Sequence, residues 1–112
     1  MENENKKYKM TKETRTLSNG TILHRIRHLK TKVWGGFIEK ESNLSQDGDS
    51  WIYVDAQVSG DAQVSGNAQV YGNARMCEDA WVYGEAWVYG DAQIFGNARV
   101  FGDAHVYGGI SS

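Results

Sequence analysis

Three histidines and one cysteine are the side chains with which this chain could do acid–base, metal or thiol chemistry. His24 and His28 have a metal-binding spacing for a helix, but on a strand they lie about 13 Å apart. The third histidine, His105, is distant in sequence, and a catalytic zinc takes about three protein ligands. Cys77 is followed by Glu78, whose carboxylate disfavours an activated thiolate. The sequence therefore predicts no catalytic residue, no metal and no cofactor.

Charge is divided between the two parts of the chain. Residues 1–42 hold ten Lys/Arg and five Asp/Glu, whereas residues 43–112 hold two Arg and nine Asp/Glu. The acids alternate with Asn at regular spacing, and turn formation explains that pattern better than calcium binding or phosphate mimicry does. No aromatic base-stacking platform accompanies the basic part, so nucleic-acid binding is not favoured. The charge division favours orientation of a protein partner or of a second subunit.

A six-residue repeat determines the predicted architecture. From Asp55 to Gly108 nine copies follow each other without insertion, each with Asp, Asn or Glu first and Ala second, and most with Val fourth and Gly sixth. Ala and the fourth residue alternate with outward side chains, as in a strand, and Gly followed by Asp or Asn makes a turn. A short fixed period of this kind indicates a solenoid.

The predicted organisation has four parts. Residues 1–7 form a disordered tail, residues 8–42 form a basic N-terminal β-hairpin cap, residues 43–108 form the acidic repeats, and residues 109–112 form a C-terminal tail. Ser18-Asn19-Gly20 is the predicted hairpin turn, since Asn-Gly suits a two-residue turn. The loose copy Asn43–Gly48 and the copy Asp49–Val54 extend the repeats toward the cap.

The hexad resembles the repeat of left-handed parallel β-helix proteins. The block with Gly35-Gly36-Phe37-Ile38-Glu39, Asn43-Leu44-Ser45-Gln46-Asp47-Gly48 and Trp51-Ile52-Tyr53 is similar to the segment that leads into the coils in a family of bacterial and prophage hexapeptide-repeat proteins, sometimes labelled acyltransferases. This resemblance implies an all-β, left-handed parallel β-helix of about 3.5 triangular coils, in which residues 18 apart are stacked. The acyltransferases of this fold use a histidine and an extruded loop, and Asp55–Gly108 has no such loop.

A stacking distance of 18 residues predicts two aromatic surfaces. One is the tyrosine face, a predicted binding site; the other is a smaller group, the Trp81 cluster. Aromatic ladders can serve coil stacking alone, but so much exposed aromatic area also indicates an interface. The tyrosine face comprises Trp51, Tyr53, Tyr71, Trp87, Tyr89, His105 and Tyr107; the Trp81 cluster comprises Trp81, Tyr83 and Phe101.

These features predict a non-enzymatic binding or scaffold protein of bacterial or phage origin. It is expected to be cytoplasmic, to form a dimer or trimer and to bind a protein partner, with no membrane segment. The end of the last coil is a further surface that a partner or a second subunit is expected to cover. Two alternatives stay open: a phage protein that occludes a host defence protein, such as a CRISPR-type nuclease, and a degenerate acyltransferase-like enzyme.

Overall fold

The computed structural model describes residues 6–110, and these form an all-β solenoid with a strand-rich cap. Three longer strands come first, and a single turn of 3-10 helix follows at Glu41–Asn43. Two-residue strands then recur every six residues from Trp51 to Val106, and a last one follows at Gly109–Ile110. The strands are β1 Tyr8–Thr16, β2 Ile22–His28, β3 Trp34–Ile38, β4 Trp51–Ile52, β5 Gln57–Val58, β6 Gln63–Val64, β7 Gln69–Val70, β8 Arg75–Met76, β9 Trp81–Val82, β10 Trp87–Val88, β11 Gln93–Ile94, β12 Arg99–Val100, β13 His105–Val106 and β14 Gly109–Ile110.

Stacked parallel strands give the solenoid three faces. Strands β4, β7, β10 and β13 form the first sheet, β6, β9 and β12 form the second, and β5, β8, β11 and β14 belong to the third. Trp51 is paired with Gln69, and Gln69 with Trp87, so residues 18 apart lie over one another as predicted. The solenoid has about four coils, and its left-handed sense stays a prediction.

The interior is filled by two residues of each hexad. The alanines from Ala56 to Ala92 are fully buried, and so are nearly all the fourth-position side chains. This removes aliphatic area from water along the solenoid axis, which is the main stabilising term for a repeat that has no core of its own. The buried fourth-position residues are Ile52, Val58, Val64, Val70, Met76, Val82, Val88, Ile94 and Val100.

The N-terminal cap is joined to the third face by a continuous sheet. Strands β1 and β2 pair antiparallel around the predicted Ser18-Asn19-Gly20 turn, and β3 adds to β2. Strand β3 then pairs parallel with β5, which places Ile38 beside Val58 at a separation of 20 residues. The cap is thus a three-stranded sheet rather than a hairpin alone.

The first coil departs from the hexad frame by two residues. Leu44, rather than Gln46, takes the inward place beside Val64, while Gly48 already lies over Gly66. Gln46 and Asp47 are therefore an insertion at the corner. From this position the Gln46 Oε1 atom accepts hydrogen bonds from the backbone N–H groups of Lys7 (2.7 Å) and Tyr8 (3.2 Å).

Both predicted tails lie partly outside the described residues. Residues 1–5 and 111–112 are outside, but Lys7 is bound to the first coil, where its Nζ donates to the carbonyl of Ser50 at 2.7 Å. At the other end, Gly109–Ile110 forms β14 and pairs with β11 instead of continuing as a tail. Within residues 6–110, the structure has no helix of the length and apolar character needed to cross a bilayer.

Candidate binding site on the tyrosine face

Four tyrosines form a continuous ladder on the first face. The ring centroids of Tyr53 and Tyr71 are 5.8 Å apart, those of Tyr71 and Tyr89 are 5.2 Å apart, and those of Tyr89 and Tyr107 are 5.7 Å apart. Parallel strands stacked about 4.8 Å apart bring rings to this distance without any special backbone geometry. Tyr53 and Tyr107 are well exposed, at 40% and 67%.

Trp51 does not belong to the exposed part of this face, which corrects its predicted role in binding. Only 6% of its surface is exposed, because the cap covers it. Its ring lies 5.3 Å from His28 and 6.3 Å from Tyr8, measured between centroids. Trp51 is a core residue at the joint between the cap and the first coil.

Gln69 forms the floor of a cleft on the tyrosine face. It is the polar residue in a column whose next member is Trp87, and the shorter side chain leaves a gap at its level. The cleft has a volume of about 670 Å³ and is lined by Tyr53, Asn67, Gln69, Tyr71, Glu85 and Trp87. The sequence signal for this gap was the polar residue between two tryptophans, but the prediction included only the aromatic residues.

Hydrogen bonds hold the cleft in shape. The Gln69 Oε1 atom accepts from the Tyr53 hydroxyl at 2.7 Å, and its Nε2 donates to the carbonyl oxygens of Asp49 (3.0 Å) and Asn67 (3.2 Å). The Trp87 indole is stacked on the His105 ring with a centroid distance of 4.9 Å and an angle of 4° between planes. A floor and wall fixed in this way lose little side-chain entropy when a ligand binds.

The polar groups that line the cleft are hydroxyls, side-chain amides, one indole N–H and one carboxylate. Burial raises the pKa of the Tyr71 hydroxyl, and the neighbouring Tyr89 and Tyr53 raise it further. A protonated hydroxyl can donate a hydrogen bond to a ligand. Glu85 is exposed at the opposite corner, in the same column as Asp49 and Asp103. The cleft therefore combines aromatic walls, hydroxyl donors and one acidic edge.

The Trp81 cluster has the predicted composition, and Trp81 also lines a second cleft of about 410 Å³. The rings of Trp81 and Tyr83 are 4.9 Å apart, and Tyr83 is stacked on Phe101 at 5.4 Å. The Arg99 guanidinium lies 5.6 Å from the centre of the Trp81 ring, and the indole N–H donates to Ser65 at 3.3 Å. Phe101 is 56% exposed.

The residues capable of acid–base or metal chemistry are dispersed. His28 accepts hydrogen bonds at Nδ1 from the backbone N–H groups of Lys30 and Thr31, whereas the Nδ1 of His24 lies 3.2 Å from the carbonyl oxygen of Thr11. Burial raises the pKa of Cys77, and the Glu78 carboxylate adds to this, as the sequence suggested. In the part of the chain that the structure describes, no three His, Cys, Asp or Glu side chains come together as a metal site.

Comparison with known proteins agrees with the architecture. The family model described as the YdcK β-solenoid repeat matches three segments. Residues 62–78 and 68–84 overlap, and residues 92–108 are separate from them. The search of curated proteins found no match. The chain is therefore a β-solenoid repeat protein by both its fold and its repeats.

Proposed function

We propose that this solenoid is a non-catalytic binding or scaffold protein, of bacterial or phage origin, that self-associates and binds a protein partner. The observation that carries the proposal is the tyrosine face, where Trp87 is 43% exposed beside a cleft with a hydrogen-bonded floor. Tyrosine and tryptophan are the side chains that most often dominate binding energy at protein interfaces. A ladder can serve the stacking of coils alone, but that role does not need an open cleft beside it.

We assign different roles to the two aromatic surfaces. In the Trp81 cluster more than half of the Phe101 side chain is exposed, and an exposed aromatic surface suits association with a second copy. The tyrosine face has a cleft of about 670 Å³, which suits a projecting segment of another protein. Self-association and partner binding can then take place together.

Light scattering tests the self-association. Wild-type protein is expected to have two or three times the 12.5 kDa mass of one chain. The double substitution Trp81→Ser and Phe101→Ser is expected to return it to the single-chain mass, because burial of aromatic area drives the contact. If the wild-type protein has the mass of a single chain even at high concentration, self-association is removed from the proposal.

Affinity capture tests the partner site. Immobilised wild-type protein and the double variant Tyr71→Ser, Tyr89→Ser are exposed to the same host lysate. Proteins that bind the tyrosine face are expected to be retained by wild type and lost with the double variant. Phe95→Ser, on the third face, is the matched control and is expected to retain them. Capture of the same proteins by all three would show that the tyrosine face is not the binding site.

A further inference from the structure

We propose that the cleft on the tyrosine face binds a proline-rich segment in the polyproline II conformation, with a Lys or Arg beside the prolines. The inference rests on the proposed function, because it names the chemistry of the partner segment. Three independent properties of the described residues support it: the spacing of the ladder, the supply of hydrogen-bond donors and the acidic edge.

The first property is spacing. A polyproline II helix advances about 9.3 Å in one turn of three residues. Two coil spacings of the solenoid measure about 9.6 Å, so the helix and the ladder are nearly in register along the axis. Suppose that one proline ring enters the cleft between Tyr71 and Trp87. The proline three residues later in the segment then lies at the level of the coil that contains Tyr107. The ladder, with centroid steps of 5.8, 5.2 and 5.7 Å, is long enough for more than one such turn.

The second property is the balance of donors and acceptors. A polyproline II helix has no internal hydrogen bonds, and proline has no N–H, so such a segment presents carbonyl oxygens and few donors. The hydroxyls of Tyr71 and Tyr89 and the indole N–H of Trp87 make no hydrogen bond with another described residue. The face thus offers donors to a ligand that consists mainly of acceptors.

The third property is charge. Glu85 lines the cleft opposite the tyrosines, and Asp103 lies one coil away in the same corner column, which continues on the other side through Asn67 to Asp49, two coils away. In the cleft lining, which also contains Asn67 and Gln69, no Lys or Arg balances this acid. An acidic edge along an aromatic groove favours a basic residue that flanks the prolines and fixes the direction of the segment.

Fluorescence titration with two synthetic peptides tests the proposal. One is decaproline with an arginine at each end, and the other is decaproline with blocked, uncharged ends. Both are expected to bind with saturation, the first more tightly. Trp87→Ala and Tyr71→Ala are each expected to weaken binding at least about tenfold, as loss of an interface aromatic commonly does. Phe95→Ala is the matched control and is expected to leave both affinities unchanged.

The acidic edge has its own variant, which retains the aromatic walls. Glu85→Gln is expected to reduce the affinity for the arginine-flanked peptide about threefold to tenfold and to leave the uncharged peptide unaffected. Circular dichroism spectra confirm that each variant is folded.

Three outcomes would overturn the proposal. They are absence of binding by both peptides, binding that Trp87→Ala does not alter, and equal binding of a Gly/Ser peptide with the same arginines. Saturable binding of cellohexaose in place of the peptides would assign the cleft to a saccharide. If the peptides do not bind but lysate capture still depends on Tyr71 and Tyr89, the proposed function stands and only the polyproline assignment is wrong.

Discussion

The side chain of Asn43 joins three segments of the backbone in a site that excludes water. Its Oδ1 accepts from the N–H groups of Glu39 (2.9 Å) and Lys40 (2.8 Å), and its Nδ2 donates to the carbonyls of Gly60 (3.1 Å) and Ala62 (2.8 Å). The residue has no exposed surface. A side chain with two acceptor bonds and two donor bonds, all to backbone, specifies an amide and nothing else of the same shape.

Asn43→Asp is expected to destabilise the protein by about 3–5 kcal/mol, measured by urea denaturation. The substitution replaces the Nδ2 donor by an oxygen that faces the carbonyl oxygens of Gly60 and Ala62, and it buries a charge. Asn97→Asp makes the same chemical change at an exposed corner and is expected to alter stability by no more than about 0.5 kcal/mol. Equal effects of the two substitutions would show that the Asn43 network is not a stabilising joint.

His28 makes the stability of the cap depend on pH. Burial lowers its pKa below the ordinary value of 6.5, and the positive charges of Lys7 and Lys30 lower it further. As the pH falls, His28 is therefore protonated at a higher pH in the unfolded chain than in the folded chain. Stability is full above about pH 6.5 and decreases on acidification until the folded-state pKa is reached.

His28→Asn is expected to remove most of this pH dependence, because an Asn oxygen can accept the two backbone bonds without titrating. Urea midpoints between about pH 7.5 and about pH 5 measure the effect; the wild type is expected to lose more stability than the variant over this interval. The pKa of Glu41 is lowered from its ordinary value of 4.5. Its contribution to the pH dependence of stability therefore lies below that pH and outside the measured interval. His105→Asn, at the far end of the solenoid, controls for the loss of a histidine. If the urea midpoints of the wild type and of His28→Asn change with pH in parallel, the pH dependence of stability does not come from His28.

The corner glycines allow adjacent coils to approach closely. Gly72 has a φ of +68°, and a Cβ atom built on it would lie 2.8 Å from the backbone nitrogen of Gly90. Gly102 has nearly the same φ, +63°, but a Cβ atom there would have no neighbour within 4 Å. Glycine is thus favoured at this corner for two reasons, a left-handed conformation and contact with the next coil, although Glu78 takes the same place in its hexad with a φ of +60°.

Comparison of Gly72→Ala with Gly102→Ala separates these two reasons. Each is expected to lose about 1–2 kcal/mol from the left-handed conformation. Gly72→Ala is expected to lose at least about 1 kcal/mol more, because backbone of the next coil must move. Thermal or urea unfolding of the two variants measures the difference. Equal losses would indicate that coil contact contributes nothing at this corner.

The repeats and the cap differ in how much of their structure the sequence predicts. The 18-residue stacking was predicted from the resemblance to left-handed β-helix proteins, because the hexad by itself fixes the length of one side of a coil but not the number of sides. The burial of Trp51 did not follow, since it depends on Tyr8 and His28 in the cap, which are far away in sequence. The cleft was missed for a related reason: it arises from a short side chain, Gln69, and not from an aromatic one.

At the scale of the whole molecule, the basic cap and the acidic solenoid are parts of one structure. Strands β1, β2 and β3 continue through β5 into the third face, so backbone hydrogen bonds join the two. Ion pairs such as Lys40–Asp61 (2.7 Å) are exposed and add little to this connection. The cap covers apolar groups at the start of the solenoid, among them Trp51, that would otherwise face water.

Because of this continuity we expect the cap and the coils to unfold together, and two isoleucines on β2 offer a test. Ile26 is fully buried, so Ile26→Ala is expected to lose about 2–4 kcal/mol. If unfolding is cooperative, hydrogen exchange at the Tyr71 and Trp81 amides, which are bonded to the next coil at 2.8 and 3.0 Å, should accelerate roughly 30-fold or more. Ile22→Ala is the control, because Ile22 is 52% exposed and its loss should leave these amides protected. Faster exchange confined to β1 and β2 would instead show that the coils are stable without the cap, since their nearest-neighbour contacts would then suffice.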